Sequence, residues 1–121
     1  MLDSVATNLE HYMNLLSARQ KLVASNIANA DTPGYMTKDI DFQFEFMSLA
    51  PNAGVNGAPA SGNPHVIEAQ GLALKNDGNN VDMDRESRML AENALRFSLA
   101  SIIAKGQIHT IRNAIQEGRG G

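Results

Sequence analysis

His11, His65 and His109 are the side chains best suited to proton transfer or metal binding near neutral pH. They stand far apart in the sequence, with no His-x-x-x-His or carboxylate-histidine spacing among them. The richest run of carboxylates and amides is Asp77-Gly78-Asn79-Asn80-Val81-Asp82-Met83-Asp84-Arg85-Glu86, which invites comparison with a calcium loop. That comparison fails, because position 5 is Val81 and position 6 is Asp82 where an EF-hand needs glycine for its sharp turn. Asp82, Asp84 and Glu86 fit a helix start better than an acid-base pair: Asp82 can cap, and the other two complement the helix dipole. No phosphate-cradling glycine loop or nucleophile elbow occurs. The absence of cysteine removes disulfides, thiolate metal sites and thiol nucleophiles. The residues therefore predict no catalytic, cofactor-binding or metal-ligating site, and no enzyme.

Composition narrows the rest. With 121 residues the chain is one domain at most. Six aromatic residues (two Tyr, four Phe) and no Trp suit helix-to-helix seams of Leu, Ile, Val, Ala and Met better than a thick globular core. A net charge of −3 with no basic cluster argues against nucleic acid as a partner. No apolar run reaches the length of a membrane span, and Asp3 and Glu10 stand where a secretory signal needs a basic start and an apolar block. Any passage out of the cytoplasm is expected to use another route.

From Leu2 to Ala30 the apolar positions Leu2, Val5, Leu9, Tyr12, Leu16 and Val23 recur every three or four residues, with Met13 and Ile27 alongside, which predicts one long helix. Arg19 and Gln20 interrupt the stripe, and Leu15 and Leu22 fall on the far side. One face plus a second small patch implies more than one partner. The helix is expected to stop within Ser25, Asn26, Ile27, Ala28, Asn29, Ala30, Asp31, Thr32, Pro33, Gly34 and Tyr35. Pro33 disfavours helical geometry at Thr32, Gly34 can take the positive φ of a type II turn, and Asn26, Asn29 and Asp31 can bond the backbone groups the helix leaves unpaired.

Between residues 35 and 49, Ile40, Phe42, Phe44 and Phe46 fit both a strand alternation and helical i,i+4 pairs, so an extended arm or a short helix is expected. Its aromatics either pack back onto the long helix or meet another subunit. Residues 50–81 read as a mobile loop with a small hairpin at Asn76-Asp77-Gly78. From residue 82 a second long helix is predicted to about Gln116, stopped by Gly118, Gly120 and Gly121. Leu90, Ala94, Phe97, Ala104, Ile108, Ile111 and Ile115 repeat as a coiled-coil seam, and Leu95, Leu99, Ile102 and Ile103 form a stripe on the opposite face. One intramolecular partner cannot cover both faces of that helix. Together with Phe42, Phe44 and Phe46, the second stripe is the candidate intersubunit surface.

The run Asn26 to Tyr35, about 25 residues from the start and preceded by an amphipathic segment, resembles the signature of flagellar basal-body rod and hook proteins. The Asp77 to Glu86 stretch is similar to the segment that opens the carboxy-terminal helix of the proximal rod members. The resemblance covers roughly residues 1–47 and 75–116 and leaves a middle that is short for the family. It implies an all-α fold in which the terminal regions (residues 1–34 and 82–121) pair as a coiled coil around an extended, partly mobile middle. It implies a structural subunit that stacks helically in the periplasmic rod, joins the membrane ring to the distal rod and transmits torque. The implied partners are other copies of itself, other rod proteins, ring or adaptor proteins at the rod base and the flagellar type III export apparatus. Alternatives are another rod or hook component, or a helical-hairpin module such as a secretion chaperone with one apolar stripe per helix.

Overall fold

In a computed structural model of the chain, residues 2–47 and 64–120 are described. The mobile-loop expectation for residues 50–63 lies outside them, as does the side chain of Leu2. The elements run α1 (Leu2–Ala28), β1 (Lys38–Ile40), α2 (Phe42–Met47), β2 (Val66–Glu68) and α3 (Met83–Gly120). The fold is all-α in its mass, with two long terminal helices of 27 and 38 residues.

The long helices pair antiparallel. Asn26 near the end of α1 meets Glu86 near the start of α3, Leu16 and Gln20 meet Asn93, and Leu9 and Met13 face Ile108 and Ile111 across a groove. A second layer covers the other side of α1. There β1 pairs antiparallel with β2 in the register Lys38↔Glu68, Asp39↔Ile67 and Ile40↔Val66, and α2 stacks Phe46 on Tyr12 with ring centroids 5.9 Å apart. Leu15, on the far side from the seam, is 1% exposed, with Tyr12 and Arg19 on either side of it held by Phe46 and Asp39 of the arm.

The apolar core of the described residues is small: Leu15, Leu16, Val23, Ile40, Val81 and Ala100. At about 1.5 to 3 kcal/mol for each large side chain buried, such a core leaves much to polar contacts. Seven polar residues are buried with it, among them Asn26, Asn79 and Glu86. Asp82 caps α3, its Oδ1 accepting from the Asp84 and Arg85 N–H groups at 3.0 and 3.3 Å. Contrary to expectation α3 does not stop before Gly118. That glycine lacks the positive φ of a helix-ending cap, so the helical run continues to Gly120.

Candidate functional site

The turn that ends α1 is a β-turn, Thr32-Pro33-Gly34-Tyr35, closed by the Tyr35 N–H on the Thr32 carbonyl at 3.2 Å. Gly34 holds φ at +76°, the region a residue bearing Cβ resists at the third position of a type II turn. Asn29 donates from Nδ2 to the Ser25 carbonyl at 2.8 Å, which also accepts its own N–H at 3.0 Å. Asn26 does something else. Its amide lies beside β1 as a strand would, accepting from the Lys38 N–H at 3.1 Å and donating to the Lys38 carbonyl at 2.9 Å. The same amide accepts from the Tyr35 hydroxyl at 3.1 Å and donates to Glu86 Oε2 at 3.1 Å. All the bonding capacity of a fully buried side chain is thereby used.

The partner of this turn is the Asp77–Glu86 stretch. Lys75 to Gly78 forms a tight turn, with the Gly78 N–H on the Lys75 carbonyl and the Lys75 N–H on the Asn79 carbonyl. Gly78, at φ +83°, completes it as a bulge. A Cβ at Gly78 would stand 3.4 Å from Gly34 Cα, so the two turns meet back to back through their glycines. Asn79 is fully buried between them. Its Nδ2 donates to the Asn29 and Thr32 carbonyls at 2.8 and 2.9 Å, and its Oδ1 accepts from the Val81 N–H at 2.8 Å. The Gly34 N–H donates to the Asp77 carbonyl, and Asn80 Oδ1 accepts from the Thr37 N–H.

A chain of charges continues the contact. Arg19 binds Asp39 through two bonds of 2.9 Å, and Arg85 bridges Asp39 at 2.8 Å to Glu86 at 2.7 Å. Arg19 also lies over the Phe42 ring, 4.6 Å from its centroid. Burial alone would push the Asp39 carboxyl up. The Arg19 hydrogen bond, the Ile40 N–H and the charges of Arg19 and Arg85 outweigh it and hold the group below the ordinary carboxylate range. Arg19, which interrupts the apolar stripe of α1, is thus a fastening of the arm. Asp39, Asn79, Asn80 and Glu86 join it in a polar clasp that sequence periodicity does not reveal, because each partner lies on a different element.

The anticipated apolar surfaces divide. Of the seam residues, Leu16 and Val23 are buried, and Leu9, Tyr12 and Ala104 are half-buried. Val5, Leu90, Ala94, Phe97, Ile108, Ile111 and Ile115 remain exposed in the single chain. Ala100 is the buried small residue of α3. In the arm, Phe42 and Phe46 turn toward α1, while Phe44 rests on His65 with centroids 4.7 Å apart and is over half exposed. The opposite stripe is open: Leu95, Leu99, Ile102 and Ile103 are 61, 52, 65 and 52% exposed. Between α1 and α3 lies a groove of about 400 Å³, lined by Leu9, Met13, Phe97, Ala104, Ile108 and Ile111 among others. Among the described residues no group of three His, Asp or Glu is placed to hold a metal, and no helix is long and apolar enough to cross a membrane. The arrangement leaves apolar side chains of α3 exposed and joins the end of α1, the arm and the start of α3 through polar bonds.

A family profile described as flagella basal body rod protein matches residues 13–35, from the middle of α1 through the turn. The chain is 35% identical over 133 aligned positions to the flagellar basal body rod protein FlgB of Escherichia coli K12, covering 97% of this chain and 96% of the relative. Its counterpart from Yersinia ruckeri is 33% identical, with 97% of both chains covered. That of Bacillus subtilis is 27% identical, with 93% of both covered.

Proposed function

The chain belongs to the family of flagellar basal-body rod proteins, and from that premise we propose that it is a subunit of the proximal rod that polymerises through its terminal helices. Membership makes it a structural component of the flagellar basal body and not an enzyme. The observation that carries the finer reading is the α3 stripe Leu95, Leu99, Ile102 and Ile103, every member more than half exposed. Contiguous apolar surface of this kind marks an interface. The exposed seam residues Ile108, Ile111 and Ile115 extend the same argument toward the end of α3.

Assembly as a helical stack requires each subunit to hold a fixed shape while its faces meet neighbours. The polar clasp supplies that shape by tying the end of α1, the arm and the start of α3 into one joint. Torque then passes through paired helices braced at one end. The partners are other copies, other rod proteins, and ring or adaptor proteins at the rod base, with delivery by the flagellar type III export apparatus. A chaperone-like hairpin would bury one stripe per helix and leave α3 polar outside, and the open stripe disfavours it.

The test is deletion of the gene in its source bacterium followed by complementation with the wild type or Leu99→Asp. The wild type is expected to restore rods and swimming, whereas Leu99→Asp is exported and builds none. Normal rods with Leu99→Asp would overturn the assignment of the stripe to assembly.

A further inference from the structure

The groove between α1 and α3 and the open stripe of α3 lie on different faces of the same helix. At 100° per residue, Phe97, Ala104 and Ile108 of the groove and Leu95, Leu99 and Ile102 of the stripe are turned roughly half a revolution apart. The groove is also unfinished chemically. Gln107 Oε1, in its wall, is buried and has no hydrogen-bond partner, and neither has Asn93 Oδ1 in the adjoining pocket that shares Ser17 and Phe97 with it. The carboxylate Glu10 lines the groove as well.

The stripe carries the complement. Arg88 stands one heptad before Leu95 on the same face, is exposed, and has no partner among the described residues. Its guanidinium offers a positive charge and a fork of N–H donors to match the exposed Glu10 carboxylate.

We infer that the stripe of one copy docks into the α1–α3 groove of a second copy, Arg88 toward Glu10. This rests on the assembly role proposed above and names its contact. Because donor and acceptor surfaces differ and lie on opposite sides, the contact is heterologous: each copy uses both at once, and the chain of contacts stays open and polar.

Two variants, each disabling one surface, test this on the full chain: Leu99→Asp on the stripe and Ile108→Asp in the groove, both at positions more than half exposed. Sedimentation of the purified wild type is expected to show concentration-dependent association, while each variant alone stays monomeric with unchanged helix content. Mixed in equal amounts, the variants retain one intact surface each and should form a heterodimer that grows no further. A second pair guards against misfolding: Glu10→Arg and Arg88→Glu should each weaken association at least tenfold, and combining them in one chain should restore most of it. A mixture that stays monomeric where the wild type associates would overturn the stripe-in-groove contact. So would a wild type monomeric at all concentrations, in which case another rod protein fills the groove; the basal-body role, read from rods in cells, would stand.

Discussion

At the scale of single residues the joint depends on Asn26, a buried side chain whose every polar atom is used. Replacing Asn26 by Ala removes bonds to Lys38, Tyr35 and Glu86 from a buried site and should cost about 3 kcal/mol, read as a shift in the urea midpoint. Asn26→Asp is nearly isosteric but turns the amide donor into a second carboxylate oxygen facing Glu86 and the Lys38 carbonyl. It should cost more than Asn26→Ala at pH 7, and the gap should narrow as the pH falls. The carboxylate of Asp39 gives a second prediction. Its folded pKa lies below the unfolded one, so its stabilisation is fully present above the unfolded value and is lost as pH falls through the folded value. Asp39→Asn should destabilise the protein by about 2 kcal/mol at neutral pH by leaving Arg19 and Arg85 without their anion. The difference from wild type should shrink below pH 4. Thermal melts of both proteins from pH 7 to pH 3 check it, and parallel curves would show that the carboxylate carries no linkage.

Among the elements, the long helices, the turn between them and the cap at Asp82 were legible from the sequence, because each rests on local chemistry. A 3-4 apolar spacing, a Pro-Gly pair and an Asp before an acidic first turn need no distant partner. The arm was half legible. Ile40 to Phe46 satisfies both periodicities, and the chain resolves the conflict by giving Lys38–Ile40 to a strand and Phe42–Met47 to a helix capped by Asp41, whose Oδ1 accepts the Phe44 N–H at 3.0 Å. The clasp was not legible. Nothing in the spacing of Arg19, Asn26, Asp39, Asn79 and Glu86 says that they meet, although the two stretches that carry the family resemblance turn out to be one another's partners. A prediction at this scale concerns Pro33 and Gly34. A methyl group on Gly34 has open space but meets a φ of +76°, so Pro33→Ala with Gly34→Ala should cost about 1 to 2 kcal/mol and keep the helix content. The turn sits back to back with Gly78 and sets where the arm leaves α1. The double variant should therefore be exported and folded yet yield few rods, and circular dichroism together with rod counts in one strain separates the two effects.

Seen whole, the molecule is fastened at one end and open along its length. Its charge chain and amide bonds hold α1, the arm and α3 together near Asn26, while the far face of α3 keeps its apolar side chains in water. The central claim is that this face is covered by neighbours in the rod, and the absence of cysteine allows a direct check. A single cysteine at Leu99 and, as a control, one at Lys21, which is exposed on α1, can be labelled with a water-soluble maleimide in the purified monomer and in isolated basal bodies. Both sites should react in the monomer. In basal bodies the cysteine at position 99 should be protected at least tenfold relative to the one at position 21, whereas equal labelling of position 99 in both states would contradict the account.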